Sequence, residues 1–600
     1  MSEIRNPFAI TTPEDLTASE TVSLFVDVFS DFKQILDPGH VFLKGPRGAG
    51  KSMMFRYLQP DCQLYGKDKT VSDLDFVAVY IPLKNTNFRL MELKRFENRH
   101  ASILINEHLM VTHCLIKVFD NLLSCDCYKN DEHIDSFKSF YRESFVSILG
   151  IESRDVNGIT KTNDLLQMIL KELNQVYRDT INSIKRSALM ESLAPYTGLL
   201  FDYIDYLVPL LESLSSVIST KTPTFYLLLD DAHFLSEEQT KILNSWVSSR
   251  TSRKVSLKIS TQYNYKHYYT TNGQTIDMPH DFTEIDIATV YTKGNNSNYY
   301  KRIKDITERR LKRVELNCSA EEFFPVDEAQ EKEIEVIRQK YISDFDQGKG
   351  RGHNRTDDAN RYARPDFIKG LSGVRKSSST YSYAGFSQLL NISSGVVRCF
   401  LQQAFDMYAR EQDQSNIVNK IDASIQNQIV RDDANHFLFD ELEYLQKECT
   451  ENVYPKEDIE KLKNLIQGLG GLFRQILLSD RSERRVFSVA ISNTPSDEVL
   501  KILNLGIQLG YFHNRTIGRK ENGSIGRTRL YVLNRRLAPI WNLDPNGFSG
   551  YLFVNNQVLV DAINQPFSMI KGNDLSDDTD FIQLSIWGDP ASVEAIEEEI

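Results

Sequence analysis

VFLKGPRGAGKSMMFRYL, residues 41–58, joins a short apolar run to a glycine-bearing loop and then to a helical pattern. Gly45-Pro46-Arg47-Gly48-Ala49-Gly50-Lys51-Ser52 satisfies G-x-x-x-x-G-K-[ST] at every position. Glycines in such a loop let backbone N–H groups converge on β- and γ-phosphate oxygens that a Cβ would obstruct. Lys51 supplies a neutralising charge and Ser52 a hydroxyl suited to Mg2+. The helix that follows turns its N-terminal dipole toward the same anion. Residues 45–52 are therefore the candidate binding loop for ATP with Mg2+.

A phosphate loop of this kind needs an acid at the end of a neighbouring strand. FYLLLDD, residues 225–231, gives an apolar run closed by two carboxylates. A buried strand would bring Asp230 to the metal, which it would hold through a water, and Asp231 to a place where it orients or deprotonates the attacking water. Asp in place of the more usual Glu shortens the reach of the second acid, so slow hydrolysis is expected.

Around these two motifs the chain alternates strands and helices. Strand-like runs fall at 75–83, 224–231, 255–261 and 282–290, and helical periodicity with few breakers fills roughly 90–222. The pattern predicts an α/β P-loop NTPase core with a parallel sheet over residues 1–290, carrying a large helical insertion at about 90–222. The insertion is either a partner-binding module or a thicker helical layer. Residues 345–380, rich in Gly, Ser and Arg, read as an exposed, mobile connection closing a segment from 291 to 380. Helices follow at 384–412 and 432–448, and another runs from Pro455 toward 478, interrupted by Gly-Leu-Gly-Gly at 468–471.

The last third changes grammar. RRVFSVAIS (484–492) reads as a strand, DEVLKILNLGIQLGYF (497–512) as a helix, and two β-prone arms flank Asn522-Gly523, a strong hairpin signal. That order is the order of a winged helix, placed at 451–550 and followed by a tail at 551–600. Between 511 and 540, Arg515, Arg519, Lys520, Arg527, Arg529, Arg535 and Arg536 face only Glu521, a local charge of +6 in a chain whose net charge is −12. The whole molecule is thus excluded as a polycationic nucleic-acid binder, and any contact with DNA must be local. Arg515, Arg519, Lys520, Arg527 and Arg529 are the candidate contacts to the backbone of double-stranded DNA. The helix before them is apolar and offers few side chains for reading bases.

The seven cysteines form no C-x-x-C pair and no zinc spacing, and Cys125 with Cys127 reads as two packed thiols. The first twenty residues lack the basic start and apolar core of a signal peptide, and no run reads as a membrane span. The expectation is a cytoplasmic protein with no membrane partner.

The phosphate loop, LLLDDAH at 227–233, a strand ending in the polar residues 258–262, further helices and a winged-helix segment together resemble an AAA+ ATPase of the initiator clade. That is the group of origin-recognition-complex proteins, whose bacterial relatives are found in mobile or antiphage-defence loci. The resemblance implies a nucleotide-driven switch with a helical lid, here at 381–450, and a homo-oligomer or an operon-encoded effector as partner. It implies a γ-phosphate sensor at the tip of the fourth strand, where Thr261 is the nearest match and Ser260 and Gln262 are rivals. It also implies a lid arginine, and ISSGVVR (392–398) offers Arg398. An arginine finger would come from Arg250, Arg253, Arg309 or Arg310, among which the sequence does not choose. Asp-Asp-Ala-His at 230–233 is similar to STAND ATPases as well, signalling scaffolds that oligomerise on ATP to activate an effector. Those proteins generally continue into repeat arrays, and this chain shows no internal repeats.

Overall fold

Five parallel strands carry the N-terminal half: β1 (Val41–Lys44), β2 (Phe76–Pro82), β3 (Thr224–Asp230), β4 (Val255–Thr261) and β5 (Thr283–Asp286). Their order in the computed structural model is β2-β3-β4-β1-β5. The structure describes residues 6–26, 32–84, 99–125, 131, 134–188, 196–219, 221–249, 252–263, 265, 268–287, 298–372, 380–415, 417–448, 455–521, 524–546, 550–569 and 581–585. The chain divides into two units, Thr11–Gly45 with Gly50–Ile287, and Met1–Ile10 with Pro46–Ala49 and Ala288–Ile600.

In the first unit β4 lies between β1 and β3, so the loops that leave β1 and β3 open at the same carboxyl edge of the sheet. Central strands of a covered parallel sheet are buried on both faces and read as unbroken apolar runs. Phe225 to Asp230 is such a run, every residue of it buried. The helices Arg99–Ser124, Thr162–Ala188 and Val208–Ile218 stand between β2 and β3 in the chain. They share one continuous hydrophobic core with the sheet, in which Leu109 and Leu115 meet the same cluster as Leu227 and Ile259. The helical stretch is thus a layer of this core. The helix from His100 to Ser124 is also long and apolar enough, with a mean hydropathy of 1.2, to cross a membrane by length and composition, contrary to the sequence expectation. Many of its apolar side chains, Leu109 and Leu115 among them, are buried in the core it shares with the sheet and the neighbouring helices.

Between Asn298 and Leu478 the described residues of the second unit are mostly helical, and a mixed sheet follows. Its strands β6 (Val486–Ile491), β7 (Phe512–Glu521), β8 (Ser524–Leu533), β9 (Gly550–Val554) and β10 (Phe581–Ser585) are ordered β10-β9-β6-β8-β7. Ser496 caps the helix Asp497–Leu509 through the Val499 N–H, and Gly510 at φ +85° ends it before β7. β7 and β8 pair in register from Phe512–Leu533 to Glu521–Ser524. The expected turn residues Asn522 and Gly523 lie outside the described residues.

Three expectations are corrected here. The stretch Asp357–Ser372, expected in an exposed connection, is a helix whose Ala359, Tyr362, Ala363, Phe367 and Ile368 are buried. Glycine and arginine at its flanks masked that apolar face. The helix Lys456–Leu478 runs through Gly-Leu-Gly-Gly without interruption. A Cβ on Gly470 would lie 2.3 Å from the Trp541 indole, so this glycine serves close packing rather than a break. Cys125 is disulfide-bonded rather than a packed free thiol, and its partner lies outside the described residues.

Candidate nucleotide site

The loop after β1 adopts the backbone its glycines permit, with Gly48 at φ +82° and Gly50 at φ +96°. Gly45 sits where a Cβ would meet Ile287 at 3.1 Å, and its N–H donates to the Thr261 carbonyl at 3.3 Å. Lys51 opens the helix Lys51–Leu58, with Ser52 half-buried beside it. The Lys51 ammonium is buried and donates to the Gly45 carbonyl at 2.9 Å. Burial pushes it down to about 8, while the facing carboxylates of Asp230, Asp231 and Asp286 act in the opposite direction.

Asp230 closes β3 and is 2 % exposed. Its Oδ1 accepts the Ser260 hydroxyl and the Asp231 N–H, the latter at 3.1 Å. Its Oδ2 accepts the Tyr80 hydroxyl at 2.9 Å, and the same phenol touches Glu14. Burial first, then Asp230 and Glu14, pushes the Tyr80 phenol well above its usual range. Asp231 stands in the left-handed region at φ 60°, a conformation Asp tolerates better than most residues. Its N–H also donates to Ser260 Oγ at 3.0 Å, and the imidazole of His233 lies 3.8 Å from its carboxylate.

Thr261, the first candidate for the strand-tip sensor, turns its hydroxyl to the Gln262 carbonyl at 3.2 Å. Its neighbour Ser260 is the β4 residue that touches both acids. Successive residues on a strand point to opposite faces, so the two cannot share the role. Tyr80 and Glu14 have no counterpart in the sequence reading. Tyr80 is one aromatic residue inside the apolar strand Phe76–Pro82 and carried no distinct signal, and Glu14 gave none.

The family model described as ORC-CDC6-like matches residues 6–353 and 337–553. The chain belongs to the ORC-CDC6-like family. No curated protein matches it. Family membership carries a nucleotide-binding AAA+ ATPase, with ATP and Mg2+ as its general cofactors. In this ORC-CDC6-like chain the donor set fits that pair. Asp230 offers hard oxygen, Ser52 a hydroxyl, and the positive-φ Gly48 and Gly50 two loop positions without a Cβ. Among the described residues no group of three or more His, Cys, Asp or Glu side chains could hold a metal by itself. Mg2+ that takes one or two protein oxygens and completes its shell with phosphates and water requires no such group.

The second unit of the ORC-CDC6-like chain contains Arg398 near the start of the helix Val397–Gln414, with its side chain exposed. Its backbone N–H donates to the carbonyl of Gly48 at 3.1 Å, within the same unit. Just before it, Ser394 at φ 51° accepts the Arg535 N–H at 2.7 Å. Among the finger candidates, Arg309 is paired with Asp305, and Arg310 is half-buried with one guanidinium nitrogen on the Pro7 and Ala9 carbonyls. Arg253 is exposed, and Arg250 lies outside the described residues.

The basic hairpin is less uniformly basic at its surface than its composition suggests. Arg527 and Arg529 are exposed on β8, whereas Arg515 is half-buried and held down by burial. The register pairs Arg515 with Leu530 and Arg529 with Thr516, which puts Arg515 on the face opposite Arg527 and Arg529. The side chains of Arg519 and Lys520 lie outside the described residues. Arg535 is buried against the Phe487 ring, and burial with the nearby Arg515 pushes it down to about 9. Arg536 makes a bidentate pair with Asp433. These two cations, counted with the hairpin by sequence, are spent inside the unit.

Proposed function

We propose that this protein is an ATP-driven switch. Lys51, Ser52 and Asp230 hold Mg–ATP over the loop 45–52, Asp231 positions the attacking water, and Arg398 reports the nucleotide to a helical lid. The C-terminal helix and hairpin, working as a winged helix, then engage duplex DNA through Arg527 and Arg529, with turnover slow and the output conformational. The observation that carries this reading is the buried Lys51 ammonium, bonded to Gly45 and facing Asp230 and Asp231.

The reading is tested by calorimetry with a non-hydrolysable ATP analogue on the wild type and Lys51→Ala, alongside ATPase rates with and without duplex DNA. Saturable binding lost in Lys51→Ala supports it, and a wild type that binds no nucleotide overturns it. ATP-dependent oligomers indifferent to DNA would leave the nucleotide site standing and replace DNA by a protein effector.

A further inference from the structure

Both oxygens of Asp230 are engaged by protein donors, and the donor on Oδ2 is the hydroxyl of Tyr80, from β2. The same hydroxyl touches Glu14 Oε1, in the turn Pro13–Asp15. A phenol carries one proton and donates it to one acceptor at a time. Tyr80 thus stands between two carboxylates with a single hydrogen to offer. The segment that carries Glu14 is itself tied to the phosphate-loop helix. The Arg56 guanidinium donates to the Leu16 carbonyl at 3.2 and 3.1 Å, and the Tyr65 hydroxyl donates to Ser19.

We propose that Tyr80 is a positioning residue for the Asp230 carboxylate, and that its hydroxyl, already in contact with both carboxylates, turns its hydrogen from Asp230 to Glu14 when Asp230 directs Oδ2 toward a divalent cation. This rests on the reading of Lys51, Ser52 and Asp230 as the Mg–ATP site. In the first orientation Tyr80 and Ser260 fix the carboxylate from opposite neighbouring strands. In the second, the O–H···Oδ2 hydrogen bond breaks and an O–H···Oε1 bond to Glu14 forms. The proton stays on the phenol throughout, and the Oδ2 lone pair is freed. Glu14 is the landing site that makes this exchange of one charge-assisted hydrogen bond for another nearly even. Without it, the phenol hydrogen released by Oδ2 has no carboxylate to turn to and trades a charge-assisted hydrogen bond for one to solvent. The N-terminal segment thereby senses whether Asp230 is engaged with metal.

The experiment is a titration of Mg2+ against fluorescent mant-ATP bound to the wild type, Glu14→Ala, Tyr80→Phe and the double variant. Glu14→Ala, at an exposed position, is expected to raise the half-saturating Mg2+ concentration about tenfold, the worth of one charge-assisted hydrogen bond. Tyr80→Phe removes the competing hydrogen, so its half-saturation stays at or below that of the wild type, and adding Glu14→Ala to it changes nothing further. A Glu14 that merely supports the fold would act equally in both backgrounds, and that additivity, or no effect of Glu14→Ala, overturns the proposal. Wild-type binding of mant-ATP in EDTA, with its loss in Lys51→Ala, tests the underlying site separately. If the wild type binds no nucleotide, the site reading falls and this one with it.

Discussion

The backbone N–H of Arg398 donates to the Gly48 carbonyl, and a Cβ built on Gly48 lies 2.5 Å from the Cβ of Arg398. Gly48 also stands at φ +82°, where any L side chain is strained. Gly48→Ala should therefore push the loop and the start of the helix Val397–Gln414 apart at a cost of about 1–3 kcal/mol. The expected outcome is a loss of about tenfold or more in affinity for an ATP analogue, read by calorimetry. Gly66→Ala is the control, because Gly66 has φ +67° but nothing within 4 Å of the added atom.

Ser260 and Thr261 make separable predictions. Ser260 holds Asp230 and receives the Asp231 N–H, so Ser260→Ala loosens both acids. Turnover should fall by about tenfold to a hundredfold, the usual range for a group that positions catalytic residues, with nucleotide affinity changed less. Thr261→Val removes a hydroxyl bonded only to the adjacent Gln262 carbonyl and should leave turnover close to that of the wild type. Single-turnover ATPase measurements distinguish the two, and the reverse ranking would return the sensor role to Thr261.

Arg536 and Asp433 join the 3-10 helix Arg535–Trp541, which follows β8, to the helix Ala423–Asn435 through two hydrogen bonds of 2.7 Å, with both side chains mostly buried. The Arg536 guanidinium also lies 4.2 Å from the centre of the Phe437 ring, which stacks on Tyr511. Truncating either partner leaves a mostly buried charge with only its weaker contact, Arg536 with Glu441 at 3.6 Å or Asp433 with the Gln403 amide, so the cost should stay below the about 3–5 kcal/mol of a fully stranded buried charge. Asp433→Ala and Arg536→Ala should each lower the urea midpoint of the C-terminal unit, and the double variant should lose much less than the sum. Strict additivity would show that the pair is not coupled.

What the sequence disclosed follows from how local each feature is. The phosphate loop was legible because its chemistry fixes residue types at fixed spacing, and β3 because a doubly buried strand is an unbroken apolar run. Tyr80 and Glu14 escaped because Tyr80 meets Asp230 across 150 residues of chain and Glu14 across 66, and nothing in either neighbourhood specifies it. Ser260 and Thr261 differ by one step of a period-two strand, and the sequence does not fix which of them faces β3. Arg535 and Arg536 enter the local charge of +6 although the fold buries and pairs them, because a charge count carries no information on exposure.

His108 provides a prediction about acid. It is fully buried in the helical layer, where its Nδ1 accepts the Phe201 N–H at 2.9 Å and its Nε2 lies 3.0 Å from the Thr180 hydroxyl. Burial pushes its pKa down from 6.5 to about 4. A folded-state value below the unfolded one means that the unfolded chain takes up the proton first. Stability is then intact above pH 6.5 and falls as the pH drops toward 4, by on the order of 3 kcal/mol from this residue. His108→Asn keeps an acceptor for the Phe201 N–H and should flatten the fall in urea midpoint between pH 7 and pH 4.5. A slope unchanged from the wild type would place the acid sensitivity elsewhere.

The hairpin separates cations that would hold phosphates from cations that hold the fold. Arg527 and Arg529 are exposed on one face of β8, and Arg529 lies 5.3 Å over the ring of Tyr531. If duplex DNA is bound there, each phosphate contact releases condensed counterions, and removing one should lower the salt slope of log K by about 1. Arg527→Gln and Arg529→Gln are therefore expected to weaken DNA binding and flatten its salt dependence while leaving the unfolding midpoint unchanged. Arg535→Gln removes a buried guanidinium that packs on Phe487 and should do the opposite, lowering stability with little effect on the slope per bound site. Fluorescence anisotropy of a labelled duplex across salt concentrations, beside urea unfolding of the same variants, reads both quantities. Salt slopes that ignore Arg527 and Arg529 would move the DNA contact off this face or remove it from the protein altogether.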